Sequence, residues 1–129
     1  MKKLASLLLF LSCAAFALAA SKYPDISEKD LQAAIASKSV VLLDANGSDS
    51  YREAHIPGAI DFIAQEKQIG NLLPANKDAL IVAYCGNEQC TAYKAAAKTA
   101  EKLGYTNIKH FAPGIQGWVK SGAPTEKAM

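Results

Sequence analysis

The chain has 129 residues, with 14 basic against 12 acidic side chains and half of all residues hydrophobic. That length suits one domain. The near balance of charge argues against nucleic acid or an acidic membrane surface as a partner.

Met1 to Ala20 opens on Lys2 and Lys3, runs on as an apolar stretch and closes on Ala17-Leu18-Ala19. A basic start, an apolar middle and small residues at the end predict a secretory signal peptide over 1–19. The apolar run is slightly short for a transmembrane anchor. A lipoprotein anchored through Cys13 is disfavoured, because Phe10 stands where Leu is expected and Cys13 comes early. The protein is therefore expected to be exported, to the periplasm if the source is bacterial. Cleavage removes Lys2 and Lys3 and brings the basic residues level with the 12 acidic ones. No further stretch is apolar enough to span a bilayer, so no stable membrane insertion is expected after cleavage.

The mature domain is read over residues 22–124. Ser27 is a candidate N-cap, with Glu28 and Asp30 in the first turn of a short helix ending near Ser37. Val40 to Leu43 is an apolar β run ending at Asp44. Asn46 to Asp49 reads as a loop, and Tyr51 to His55 as one helical turn broken by Ile56-Pro57-Gly58. Ala59 to Ile63 reads as a second strand, and Ile69 to Pro74 as irregular after a helical turn from Ala64. Ala79 to Tyr84 is a buried strand. A helix follows from Thr91 to Leu103, with Ala92, Ala96, Ala100 and Leu103 on one face and Gly104 as its stop. Asn107 to Phe111 is another strand. Ile115 to Lys120 is a last helix carrying Trp118, and the tail after Pro124 is expected to fray. Strands alternating with helices imply an α/β fold with a parallel sheet. Such sheets gather their sites at the carboxyl ends of the strands, where Asp44, Cys85 and His110 lie.

Cys85 follows the central strand directly, and Gly86 and Asn87 after it both tolerate unusual backbone angles. A cysteine between a strand end and a helix start meets converging backbone N–H groups and the positive end of the helix dipole. That setting lowers a thiol pKa and makes a nucleophile. The competing reading is a small buried apolar cysteine. Once the signal is removed, Cys85 and Cys90 are the cysteines left. A bridge closing so small a loop would add little stability, so the pair is better explained by chemistry than as a staple.

Three segments together resemble the rhodanese domain. They are Asp44 with His55-Ile56-Pro57-Gly58-Ala59 after it, the strand with the Cys85 loop and helix, and Leu103-Gly104-Tyr105 through Pro113-Gly114-Ile115-Gln116-Gly117-Trp118. The resemblance implies a five-stranded parallel sheet flanked by helices. It also implies a sulfurtransferase in which Cys85 carries a sulfane sulfur as a persulfide. The donor would be thiosulfate or a persulfide, and the acceptor a thiol or cyanide. The amides of Gly86, Asn87, Glu88, Gln89, Cys90 and Thr91 would cradle the outer sulfur. Partners would be small sulfur compounds or protein thiols and persulfides, with no metal or organic cofactor.

The chain departs from the family pattern at Asn46, where Arg is common, at Ser50, where Glu is common, and at Ala54, where Gly usually precedes the His. Losing both members of an ion pair together is far cheaper than losing one. The loop from Cys85 to Cys90 has the sulfurtransferase length. Related phosphatases have one residue more and end on Arg, where this chain has Thr91, so phosphate chemistry would lack its cation. The loop carries Glu88 and no Lys or Arg, so weak thiosulfate:cyanide activity is expected.

Cys90 is a candidate resolving or redox cysteine, able to attack a Cys85 persulfide or to form a switch with Cys85. The alternative is burial under the helix. A thiol–disulfide redox protein using this pair is the second functional reading, and a non-catalytic sulfur- or anion-binding module the third. His55 is read as a packing residue near the site and Asp44 as a loop organiser. A zinc site of His55, His110, Cys85 and Cys90 fits no standard spacing. Tyr84, Tyr93, Phe111 and Trp118 are read as core or rim aromatics, with Tyr51 and Trp118 as candidates to line the approach to the loop.

Overall fold

A computed structural model describes residues 22–129. The expected signal peptide over 1–19, with Cys13, lies outside the described residues. Helix α1 (Glu28–Ala36) starts where Ser27 Oγ accepts the Asp30 amide, and β1 (Val40–Asp44) follows. Next come α2 (Ser48–Glu53), β2 (Ile60–Asp61), α3 (Phe62–Gln65), a 3₁₀ turn (Glu66–Gln68) and α4 (Ile69–Leu72). The remainder is β3 (Leu80–Tyr84), α5 (Tyr93–Lys102), β4 (Ile108–His110) and α6 (Gly114–Lys120).

The sheet is parallel in the order β2-β1-β3-β4. It has four strands where five are expected. The lead-in to α1 takes the fifth place as a single parallel bridge, Asp25 to His110. There the His110 amide donates to Pro24 O at 2.9 Å, and the Ile26 amide donates to His110 O at 2.9 Å. Pro24 has no N–H to extend the ladder, and α1 begins two residues after Ile26.

The second strand is also shorter than its apolar run suggests. Asp61 Oδ1 accepts the Ala64 amide at 3.1 Å, so the strand becomes a helix at Phe62. Ile69 to Leu72, read as irregular, is helical. The buried face of α5 is Tyr93, Ala96, Ala97 and Ala100, and Ala92 and Leu103 lie outside it. The tail does not fray: Glu126 exchanges both backbone hydrogen bonds with His55, at 2.9 and 3.0 Å. Among the described residues no helix is long and apolar enough to cross a membrane.

Side-chain alternation along β3 divides the core between the two sheet faces. Ile81, Ala83 and Cys85 join Leu43, Phe62 and the α5 face on one side. Val82 and Tyr84 join Leu31, Leu42, Ile115 and Trp118 on the other. The chain leaves β1 toward one sheet edge and leaves β3 toward the other. The carboxyl ends of these two strands therefore form the switch point where α/β sheets open a crevice. Ala45 and Tyr84 are tied across it by a 2.8 Å hydrogen bond from the Ala45 amide to Tyr84 O.

Candidate active site

At this switch point the carboxyl end of β3 delivers Cys85, and its side chain is bonded to Cys90 across a Cα separation of 6.2 Å. Cys85 is 1% exposed, and Cys90 is half-buried against the α5 side of the core. The structure thus joins the two sulfurs. In this oxidised state Cys85 is capped, and reduction must precede any chemistry on it.

The loop between them is folded by Asn87. Its side-chain Oδ1 accepts the Gln89 amide at 3.0 Å, and its carbonyl accepts the Cys90 amide at 3.2 Å. This turn carries Cys90 back over Cys85. Those two amides therefore leave the expected cradle. The amides of Gly86, Asn87, Glu88 and Thr91 donate to no protein acceptor among the described residues. Their direction follows from the carbonyls. Cys85 O accepts the Ile115 amide at 2.9 Å, and Gly86 O accepts the Gln116 amide at 3.0 Å. Within a planar trans peptide the N–H points opposite to the C=O, so the Gly86 and Asn87 amides point away from α6.

One glycine, Gly114, permits this docking. Neither Gly86 nor Asn87 has a positive φ. A Cβ on Gly86 would lie 2.9 Å from Asn46 Oδ1, a side-chain atom that would have to shift. Gly114 does adopt a positive φ of 63°, and a Cβ on it would press into the Cys85 and Gly86 backbone.

Beneath the loop, Asp44 is 1% exposed and accepts the Asn46 amide at 2.8 Å and the Tyr84 hydroxyl at 2.7 Å. Tyr84 Oη in turn accepts the Ile56 amide at 3.1 Å. Burial raises the Asp44 carboxyl above its ordinary range, against the pull of those two donors. Burial also raises the Tyr84 phenol, helped by the Asp44 charge. Asn46 Nδ2 donates to Ser50 Oγ at 2.7 Å. The positions where an Arg and a Glu are common thus hold a neutral hydrogen-bonded pair.

The histidines lie apart. His55 stacks on Tyr51 with ring centroids 3.8 Å apart, and its Nδ1 is 2.8 Å from Tyr51 O. His110 stacks on Tyr93 at 3.4 Å, with Nδ1 3.5 Å from Asp25, and burial lowers its pKa. Among the described residues no three His, Cys, Asp or Glu side chains converge as a metal site would require. Trp118 is 1% exposed and packs edge-on against Phe111, while Tyr51 donates to Ala59 O at 2.7 Å. Neither lines the groove at the loop. That groove, of about 240 Å³, lies between Asn87, Glu88 and Gln89 and the α6 side chains Gln116 and Lys120. Lys120, in the last turn of α6, is the cation of this groove, and the loop itself carries none.

The family model of the Rhodanese-like domain matches residues 27–121. Among curated proteins the chain is similar to an HTH-type transcriptional regulator of Mycobacterium tuberculosis, 31% identical over 88 residues, which are 68% of this chain. The chain spans 38% of that relative's length. Among solved structures it is similar to a rhodanese-related protein from Thermoplasma volcanium, with 25% identity and a TM-score of 0.62 over 81% of this chain and 98% of that one. It is also similar to a human single-domain sulfurtransferase, with 21% identity and a TM-score of 0.61 over 75% of this chain and 96% of that one.

Proposed function

Because the chain belongs to the Rhodanese-like domain family, we propose that it is a sulfurtransferase whose Cys85 carries sulfane sulfur as a persulfide. The donor is thiosulfate or a persulfide, and the acceptor a thiol or cyanide. One observation carries this reading: a strand-end cysteine lies under a loop whose Cys85 and Gly86 carbonyls are tied to α6, and four loop amides have no protein acceptor among the described residues.

The reaction begins with reduction of the Cys85–Cys90 bridge. The Cys85 thiolate attacks the outer sulfur of the donor, and sulfite or a thiolate leaves. The negative terminal sulfur of the persulfide then has the unpaired amides of Gly86, Asn87, Glu88 and Thr91 to accept from. An acceptor takes that sulfur and regenerates the thiolate. Glu88 opposes an anionic donor, and Lys120 across the groove partly offsets it. The protein works outside the cytosol, where an idle dithiol closes to the disulfide.

The test is intact-protein mass spectrometry. Cys90→Ser and the parent chain, reduced and desalted, are incubated with thiosulfate or a small-molecule persulfide; one added sulfur is expected on Cys85 of Cys90→Ser, and none on Cys85→Ser. No adduct from either donor, on Cys90→Ser as well as the parent protein, would reject the reading. The disulfide itself favours a second reading, a thiol–disulfide redox protein using the same pair. That reading expects exchange with dithiols to be lost in either single Cys variant, with no sulfur adduct in any form.

A further inference from the structure

We propose that Cys90 resolves a sulfur carried on Cys85, expelling it as sulfide and closing the disulfide, so that the protein reduces sulfane sulfur to sulfide at the expense of a thiol reductant. This rests on the sulfur-transfer reading of Cys85 and gives that site a second product.

The geometry provides the attack. Cys90 Sγ is already within covalent reach of Cys85 Sγ, at a Cα separation ordinary for a bridge. The Asn87 turn fixes that approach through two loop amides, so Cys90 competes as an intramolecular nucleophile. Well-oriented intramolecular groups act at effective concentrations far above those of any free thiol. The nucleophile is also favoured electrostatically. Helix α5 begins at Tyr93 with Ala92 at its N-cap and no side chain capping it. Cys90 precedes that start by three residues, close along the chain to the positive end of the helix dipole, which favours negative charge on the sulfur.

The steps balance as follows. A Cys85 thiolate takes the outer sulfur of thiosulfate, forming Cys85–S–S⁻ and releasing sulfite. The persulfide takes up one proton. The Cys90 thiolate attacks Cys85 Sγ, the Sγ–Sδ bond breaks, and HS⁻ leaves with that electron pair. The product is the disulfide seen in this structure. Two equivalents of a thiol, or one dithiol, then reduce the bridge and are themselves oxidised to a disulfide.

Exposure sets the direction of that last step. Cys85 is sealed, while Cys90 is half-buried between exposed Gln89 and Thr91. The incoming thiolate therefore attacks Cys90 and expels Cys85 as the leaving thiolate, returning the nucleophile for the next donor.

A single-turnover experiment tests this. Reduced, desalted protein is mixed without oxygen or added thiol with thiosulfate, and in parallel with a small-molecule persulfide. Released sulfide, remaining free thiols and intact mass are recorded for the parent chain, Cys90→Ser and Cys90→Ala, with circular dichroism as the check on folding. The parent chain is expected to release sulfide at least about tenfold faster than either variant, to lose both thiols and to finish as the disulfide. The variants are expected to hold the added sulfur on Cys85 until a thiol is supplied. A parent chain that retains its adduct, or variants that release sulfide as fast, would overturn the proposal while leaving sulfur transfer standing. Absence of any adduct on both variants would instead remove the sulfur-transfer reading beneath it.

Discussion

Replacing Gly114 by Ala probes the contact that holds α6 to the cysteine loop. Gly114 has a φ of 63°, and a Cβ there would lie 2.7 Å from Gly86 C, 2.8 Å from Gly86 O and closer still to Cys85 O. All three are backbone atoms, fixed by the hydrogen bonds from the Ile115 and Gln116 amides. Relief therefore requires α6 and the loop to separate. The left-handed backbone costs a non-glycine residue about 1–2 kcal/mol, and overpacking against a fixed neighbour about 1–3 kcal/mol more. Gly114→Ala should thus lose about 2–5 kcal/mol, a fall in Tm of roughly 10 °C or more for a domain of this size. Gly122→Ala isolates the first contribution, because Gly122 also has a positive φ, of 85°, with nothing within 4 Å of its Cβ position. Urea unfolding of the reduced proteins, followed by the fluorescence of buried Trp118, measures both. Gly114→Ala costing no more than Gly122→Ala would refute the claim that the loop and α6 are in backbone contact.

Tyr84→Phe removes the hydroxyl that donates to Asp44 and accepts from Ile56. With two buried groups left short of a partner it should cost about 2–4 kcal/mol in urea unfolding, and a loss below about 0.5 kcal/mol would contradict the network. His110 gives a pH signature. Burial holds its imidazole below the usual 6.5, so the folded state favours the neutral ring. The associated stability is present above 6.5 and is lost as pH falls through the lowered folded value. Thermal midpoints of the parent chain should drop more between pH 7 and pH 5 than those of His110→Gln, and parallel profiles would refute this. Lys120→Ala should raise the KM for thiosulfate about two- to fivefold at low salt and leave an uncharged donor unaffected. Equal effects on both donors would show that Lys120 acts through packing.

What could be read from the sequence was local. Ser27 announces α1, the apolar runs announce β1 and β3, and the parallel arrangement places Asp44, Cys85 and His110 at strand ends without any distance information. The misreadings are contests between local signals or long-range contacts. The run Ala59 to Ile63 is apolar enough for a strand, but Asp61 within it caps a helix instead, and an acidic residue three before an alanine was the available sign. The pairing of Glu126 with His55 joins residues 71 apart, and no periodicity reports it. The contact of Gly86 with Asn46 is likewise tertiary, since Asn46 comes near only once β1 and β3 are neighbours. Lys120 belongs to the same class, being distant in sequence and adjacent through the docking of α6.

The placing of the cysteines argues for chemistry over stability. Closing a loop of six residues constrains the unfolded chain by about 2 kcal/mol in the chain-entropy account, and native-state distortion subtracts from that. A bridge from Cys85 to any distant element would stabilise more, because the gain rises with loop length. This bridge instead occupies the strand-end position, where four loop amides lack protein acceptors among the described residues, with a bond that caps the sulfur. Stability alone gives a crosslink no reason to occupy that position, whereas the proposed cycle requires it there. The same reasoning explains the separation along the chain. Cys90 follows the Asn87 turn and precedes the start of α5, so it reaches Cys85 from the loop and takes no residue from strand or helix.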